Sequence, residues 1–449
     1  MNVFLINIGC KVNFVDLSHL KTLLIEANYS ITDTLKDADI VLINTCVVTN
    51  SATADSRQKI RKVRKIVPNA FIGILGCYAQ LSANEIIETT GADAVFGINE
   101  KFKIHKMLSE LLVNKNRLPS IANTFNNNKS INKNIFVSNY KHSIFEVSLS
   151  ADIESRTRGF LKLQDGCDYK CSYCIVPFVR GHSRSIHFSQ IPKQINKLIN
   201  AGYKEIVISG INLSDYKGKN NERFIDLIKM LGNTTQYFIS NDIRFRISSI
   251  EPQIINEELI EIISNNTNIC PHFHIPLQSG CDEILNKMKR RYNTEQFRKI
   301  IELINKYIPS AFICLDVISG FPTETDVNFA ETKDFILSLN ISKLHCFTYS
   351  MRQHTIAATM EQVSNQIKKA RTKELLKLSN NKNVIFNQNN IGRELILLPE
   401  KYDIENKITF GHTENYLEIN IKTNKKLENN FYKIIVNEVK DNKIFGKLK

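Results

Sequence analysis

The sequence predicts an α/β protein in three parts: an N-terminal doubly wound parallel-sheet domain, a central partial (β/α) barrel and a C-terminal small all-β barrel. Three patterns carry that expectation. Residues 1–112 alternate short apolar runs with amphipathic helical stretches, residues 151–380 repeat the βα unit with helices of ten or more residues, and residues 381–449 switch to short period-two strands divided by Gly and Asn turns. Residues 113–150, rich in Asn, Lys and Ser and carrying Asn126-Asn127-Asn128, have linker composition.

In the first part, residues 3–8, 40–43, 70–75 and 94–96 read as buried parallel strands. The helix expected over residues 51–66 places Ile60, Val63 and Val67 on one stripe, with Arg57, Arg61, Lys62, Arg64 and Lys65 around the rest. The stripe faces a core; the basic face is either solvated or turned to a polyanion. In the central part, residues 160–163, 205–208, 244–247, 272–276, 311–317 and 343–347 are the strands, and catalytic groups belong at their C-terminal ends. In the last part, residues 395–398, 416–421, 433–436 and 443–445 alternate as barrel strands, a build that often binds single-stranded or looped RNA.

Composition narrows the function classes. A chain of 449 residues with 43% hydrophobic residues supports about three packed domains and excludes a disordered protein. A formal net charge of +14 calls for a polyanionic partner, and RNA or DNA fits better than an acidic membrane, because no amphipathic anchor or lipidation motif is present. The start lacks a basic n-region and cleavage site, and no apolar run reaches membrane-span length, so a cytoplasmic protein with no membrane partner is expected. Ten cysteines in that compartment stay reduced, which makes clustered ones metal or catalytic candidates.

Cys167, Cys171 and Cys174 form such a cluster, directly after the first central strand. Their C-x-x-x-C-x-x-C spacing supplies three thiolates to a four-iron cluster and leaves one iron open for a ligand. A zinc site would want four ligands, usually in pairs, and a redox role is the other alternative. Cys10, Cys46 and Cys77 each follow a predicted parallel strand. Such strands end on one sheet edge, so these thiols either converge in the ligand crevice of an α/β sheet or are separate buried structural thiols. Gly9 and Gly76 beside two of them suit tight backbone turns. Cys270, Cys281, Cys314 and Cys346 show no ligand spacing.

The triplet, with Tyr173 before its last cysteine, resembles the signature of radical S-adenosylmethionine enzymes. With Gly9-Cys10-Lys11-Val12-Asn13, Asn44-Thr45-Cys46-Val47-Val48-Thr49, Arg57-Gln58-Lys59-Ile60-Arg61, Gly76-Cys77-Tyr78-Ala79-Gln80 and Arg180-Gly181-His182-Ser183-Arg184-Ser185, the chain resembles the radical methylthiotransferases over nearly its whole length. The Gly-Cys-Lys-Val-Asn start and the Cys-Val-Val-Thr segment look most like the branch that modifies threonylcarbamoyladenosine at position 37 of tRNA. Pro276-Leu277-Gln278-Ser279-Gly280, Asp316-Val317-Ile318-Ser319-Gly320-Phe321-Pro322 and Tyr349-Ser350-Met351-Arg352 extend the likeness.

The resemblance implies two [4Fe-4S] clusters and S-adenosyl-L-methionine. Cys167, Cys171 and Cys174 would hold the radical cluster and carry the catalysis, and Cys10, Cys46 and Cys77 an auxiliary cluster that delivers sulfur. It places Tyr173 near the cofactor adenine and Gly210, Glu251, Gln278 and Asp316 at strand ends where cofactor contacts fall. It also implies a tRNA anticodon loop as substrate, an electron donor such as flavodoxin or ferredoxin, a sulfur source, and a TRAM RNA-binding module at residues 381–449, where Gly411-His412-Thr413-Glu414-Asn415-Tyr416 carries the likeness. Lys422, Lys425, Lys426, Lys433 and Lys440 are candidate phosphate contacts there, and a chain ending near Leu378 is expected to keep both clusters. Methylthiolation of isopentenyladenosine or of a ribosomal protein, and a non-catalytic iron-sulfur RNA-binding role, are the other readings. Two departures stand out. Thr323 replaces a usual Gly, which counts against a left-handed backbone there, and Gln353-His354 replaces Pro-Gly; both predict altered loop detail rather than lost activity.

Overall fold

The computed structural model describes residues 1–117, 134–139, 145, 147–150, 157–441 and 443–449. Two compact units result: residues 1–150 with 175–182, and residues 151–174 with 183–449. Most of the stretch with linker composition lies outside the described residues. Of its described part, residues 113–117 end the helix Ile104–Arg117, and two short strands, Ile135–Phe136 and Ser148–Ser150, fall in the first unit.

The first unit is a parallel sheet of β1 (Asn2–Asn7), β2 (Ser30–Ile31), β3 (Ile40–Thr45), β4 (Phe71–Gly76), β5 (Ala94–Phe96) and β6 (Ile135–Phe136), in the order β2-β1-β3-β4-β5-β6. A further short strand, β7 (Ser148–Ser150), belongs to the same unit. β3 and β4 are buried at every position, as their unbroken apolar runs require. Alternation divides their side chains between two cores. Ile40, Leu42 and Phe71 pack with Leu17, Leu20, Leu24 and Leu108 from the helices Lys11–Glu26 and Ile104–Arg117. Val41, Ile43 and Ile72 pack with Ile60, Val63 and Ile86 from Asn50–Ile66 and Ala83–Thr90. The sheet is therefore doubly wound, as expected.

The second unit opens with β8 (Arg158–Asp165), to which β9 (Arg184–Ser185) pairs antiparallel; β10 (Glu205–Gly210) and β11 (Arg244–Ile247) follow in parallel. β12 (His272–Gln278), β13 (Phe312–Ser319) and β14 (Lys343–Thr348) continue in parallel, and bridges from Phe245 to Ile269 and from Ser249 to His274 link the two sheets. The strands curl into the expected partial barrel.

The helix Asn365–Gln388 then leads to a closed barrel of β15 (Glu394–Asp403), β16 (Ile408–Thr413), β17 (Glu418–Lys422), β18 (Tyr432–Lys440) and β19 (Lys443–Leu448), ordered β15-β16-β17-β19-β18. β16 has no counterpart among the sequence-predicted strands. Its Gly411 reads as a turn, yet it serves close strand approach: a Cβ there would lie 2.2 Å from the Leu398 carbonyl oxygen on the paired strand. Tyr416, expected to start a strand, instead sits in a turn with φ 65°. No helix among the described residues is long and apolar enough to cross a membrane.

Candidate active site

β1, β3 and β4 end on one edge of the first sheet, and Cys10, Cys46 and Cys77 directly follow them. The helix after β1 packs on one face and the helix after β3 on the other, so Cys10 and Cys46 flank the point where the chain reverses its winding, the usual ligand crevice of such sheets. The backbone makes room for them. Gly9 and Gly76 have φ 120° and 97°; a Cβ on Gly9 would lie 2.7 Å from Cys46 Cβ, and one on Gly76 would lie 2.5 Å from the Thr45 carbonyl oxygen. Asn13 ties the three loops, donating to the carbonyls of Ile8 and Thr45 at 3.2 and 3.0 Å while its Oδ1 lies 3.9 Å from Cys77 Sγ. Burial first, then the neighbouring thiols of Cys77 and Cys10, push Cys46 up to about 11. All three cysteines therefore stand at strand ends on one sheet edge.

A cation from the Arg180-Gly181-His182-Ser183-Arg184-Ser185 segment, to which the sequence assigned no role, faces them. Arg180, buried on the helix Val176–Arg180, points Nε at Cys77 Sγ at 3.4 Å and donates through Nη2 to Asn13 Oδ1 at 2.8 Å. Asp16 accepts from both Arg180 and Lys101. Burial raises the Cys77 thiol, and the Arg180 guanidinium beside it opposes that rise without cancelling it.

Cys167, Cys171 and Cys174 lie half-buried in the loop after β8. Ser172 pins the loop: its Oγ donates to the Lys287 carbonyl at 2.7 Å, its N–H to that of Met288 at 3.1 Å, and its carbonyl accepts from Ala357 N–H at 2.8 Å. Cys167 Sγ faces the Tyr169 N–H at 3.4 Å and Asn212 Nδ2 at 3.5 Å. Cys171 Sγ faces Arg290 Nη1 at 3.2 Å. Each thiol set thus has one buried arginine against one sulfur. Burial pushes Cys167 up to about 11, so a metal bound there would have to displace a proton.

The remaining expected residues divide. Glu251 joins this loop indirectly, through an ion pair with the Nη2 of Arg290. Tyr173 presents its ring edge-on to Phe321 at 6.4 Å, in a cluster with Cys281, Ile284 and Met288. Gly210 closes β10 at a bulge; Asn212, two residues on, donates its N–H to Gln164 Oε1 at 2.7 Å. Gln278 ends β12 at a register shift with φ 65°, a left-handed conformation that a glutamine adopts at a cost. Asp316 belongs elsewhere. Its Oδ1 lies 2.6 Å from His274 Nε2 and 3.3 Å from His345 Nδ1. Burial works to raise its pKa, and the two imidazoles outweigh that and bring it to about 2. Thr323 and His354 have φ 63° and 72°, so both keep the left-handed backbone of the glycines they replace, against the expectation for Thr323. The surrounding loop fixes the conformation: Thr323 N–H donates to the Glu361 carbonyl at 3.0 Å.

The concave face of the partial barrel has a floor. The Tyr416 ring meets Arg158 of β8 at 5.8 Å, Arg246 of β11 at 4.8 Å, and the rings of His272 of β12 and Phe312 of β13 at 4.7 and 5.6 Å. One ring touching four strands is possible only where they curl around it, at the ends opposite the cysteine loop. Below it, buried Glu205 accepts from Arg244 Nε at 2.6 Å and from Arg246 Nε at 2.8 Å. The same arginines donate onward to carbonyls of the small barrel: Arg244 to Ile396 and His412, Arg246 to Thr413 and Glu414. By strand alternation His274 shares the concave face with His272, and Asp316 with Phe312.

Residues 161–336 match the radical SAM superfamily, and residues 2–97 match the uncharacterized protein family UPF0004. The chain is 34% identical over 420 residues to the threonylcarbamoyladenosine tRNA methylthiotransferase MtaB of Bacillus subtilis, covering 92% of this chain and 89% of that one. Its counterpart of the same name in Aquifex aeolicus is 32% identical, with 93% and 96% covered. A tRNA-2-methylthio-N(6)-dimethylallyladenosine synthase of Desulforamulus reducens is 31% identical, with 87% and 83% covered. Among solved structures, the radical S-adenosylmethionine methyltransferase TsrM of Kitasatospora setae shares the fold, with TM-score 0.54 at 13% identity over 80% of this chain and 77% of that one. Relatives above 30% identity that span about nine-tenths of the chain decide the matter: this protein belongs to the radical S-adenosylmethionine tRNA methylthiotransferases.

Proposed function

We propose that the enzyme methylthiolates carbon 2 of N6-threonylcarbamoyladenosine at the anticodon loop of tRNA, using two [4Fe-4S] clusters and S-adenosylmethionine. The observation that carries this reading is the presence of two separate three-thiol sets, one at the sheet edge of the first unit and one after β8 of the second. The donor chemistry fits: three thiolates per set suit a four-iron cluster with one iron left for another ligand. When bound, these groups would supply a one-electron route to a C–H bond that side-chain acids and bases cannot ionise, and the sulfur to place there. Arg180 and Arg290 would offset thiolate charge, and Asn13, Asn212 and Ser172 would hold the loops in shape.

The small barrel supports an RNA substrate. Lys422, Lys425, Lys426, Lys433 and Lys440 are all exposed on it. Arg57, Arg61 and Arg64 are spent differently, on Glu85, the Thr89 carbonyl and Asp93, which favours a structural use for that helix face. A loop adenosine is unpaired and is extruded at small cost. The four relatives named for threonylcarbamoyladenosine, at 30–34% identity, favour that base over the dimethylallyl one. The test is direct. The anaerobically reconstituted enzyme is incubated with S-adenosylmethionine, a reductant, a sulfur source and anticodon stem-loops carrying either base, and the nucleosides are read by mass spectrometry. Methylthiolated threonylcarbamoyladenosine is expected; product only from the dimethylallyl substrate overturns the reading.

A further inference from the structure

His274, Asp316 and His345 come from three neighbouring strands and lie 42 and 71 residues apart from His274 onward. Parallel register pairs Asp316 with His345, and alternation points His274 and Asp316 to the same concave face. The imidazoles meet edge to face with centroids 4.9 Å apart, and His274 Nδ1 is fixed by Ser249 Oγ at 3.1 Å. The cluster is a held device rather than loose surface. His345 turns Nδ1 inward to the carboxylate, its side chain is 47% exposed, and Nε2 on the far side of the ring has no protein partner among the described residues. A carboxylate behind an imidazole holds its orientation, which turns Nε2 outward, where an N–H suits an anion. Two residues along the same edge strand, on the same face, Phe347 is 43% exposed, and an exposed aromatic is the usual seat for a splayed base.

The two candidate bases differ in what they would offer these groups. A dimethylallyl substituent is apolar and would leave the outward Nε2 of His345 without a partner, a mismatch that polar sites reject. A threonylcarbamoyl substituent ends in a carboxylate beside a hydroxyl and a urea. We propose that His345, positioned by Asp316 and His274, recognises the carboxylate of the N6 substituent on the target adenosine, with Phe347 offering the base a stacking face. This rests on the reading of the substrate given above and assigns its specificity to one residue of the edge strand.

The test measures binding, not turnover. Reconstituted full-length enzyme is titrated against fluorescent anticodon stem-loops bearing threonylcarbamoyladenosine, dimethylallyladenosine or plain adenosine. The wild type should prefer the first by tenfold or more. His345→Phe keeps a ring, is exposed enough to leave the fold intact, and should abolish the preference while plain-adenosine binding stays within twofold. Asp316→Asn should weaken the preference in part, and Phe347→Ala should weaken all three loops alike. His345→Phe retaining a tenfold preference overturns the assignment, and so does a wild-type preference that requires added Zn2+ or Mn2+, because a bridging cation would then hold the carboxylate. A wild type that prefers dimethylallyladenosine, or has no preference, overturns the substrate reading itself.

Discussion

Glu205→Gln keeps the size of a fully buried side chain and removes the one charge that two buried arginines share. In the folded enzyme, Arg244 Nε and Arg246 Nε donate to this carboxylate at 2.6 and 2.8 Å, Arg246 Nη2 adds a third bond at 2.9 Å, and Arg158 lies 3.9 Å away. The amide turns one acceptor into a donor facing guanidinium N–H groups. Removing one partner of a buried pair costs about 3–5 kcal/mol, because the other charge stays buried and unpaired. At roughly 2–4 °C per kcal/mol for a domain of this class, the melting temperature should fall by roughly 6–20 °C. The chain has no tryptophan and 14 tyrosines, so tyrosine fluorescence and far-UV circular dichroism are the readouts. Glu295→Gln, which breaks an exposed pair with Lys299, is the control and should melt like the wild type. The pH dependence follows from the sign of the shift. Burial would raise the Glu205 pKa, but Arg246 and Arg244 outweigh it and hold it well below its ordinary 4.5. A depressed folded pKa stabilises above the unfolded value and loses that contribution as pH falls through the folded one. The gap between wild type and variant should therefore persist from pH 7 to about 4.5 and close only in stronger acid. A variant that melts within 2 °C of the wild type at neutral pH would refute the reasoning.

Thr323→Gly and His354→Gly should each stabilise by about 0.5–1 kcal/mol in urea unfolding, since a left-handed non-glycine costs roughly 1–2 kcal/mol and glycine returns part of that through unfolded-state entropy. At His412, burial lowers the pKa, but Glu400 and Glu418 outweigh it and raise it from 6.5 to about 8. A raised folded pKa stabilises fully below pH 6.5, and up to about 2 kcal/mol should be lost between pH 6.5 and 8, an effect absent in His412→Gln. Replacing Cys167, Cys171 and Cys174 by Ala should roughly halve the bound iron, measured by colorimetric iron assay after anaerobic reconstitution. Replacing Cys10, Cys46 and Cys77 instead should leave 5′-deoxyadenosine formation intact and abolish methylthiolated product by chromatography; undiminished product would remove the sulfur-delivering role of that set.

The thiol sets were legible because strand periodicity and local spacing suffice to place them. Runs such as residues 40–43 and 70–75 announce buried parallel strands, and a residue placed just past each one must reach the same edge. What closed around the thiols was not legible. Arg180 meets Cys77 across 103 residues, and Arg290 meets Cys171 across 119, pairings that depend on tertiary register. A lone basic residue carries no sign of whether it will be solvated or buried. The His274–Asp316–His345 set was hidden for the same reason, with only Asp316 foreseen and its partners not. β16 is hidden in the sequence because its glycine resembles a turn residue, whereas in the fold it serves close strand approach. A chain ending near Leu378 is expected from the sequence to keep both clusters; it would also leave Arg244 and Arg246 without the four carbonyls they bond.

That floor also bears on the order in which the molecule can be made. Arg244 reaches the His412 carbonyl across 168 residues, and Tyr416 fills the concave face of strands that left the ribosome long before it. Until the last tenth of the chain emerges, the nascent partial barrel carries an acid and three arginines meant for burial, with an open end. Such long-range closure is slow and makes the catalytic unit complete late. A chain without this segment would have strands for the cysteine loop but no floor beneath them, so the arginines, the acid and the far end of the partial barrel reach their buried state only when the small barrel closes on them.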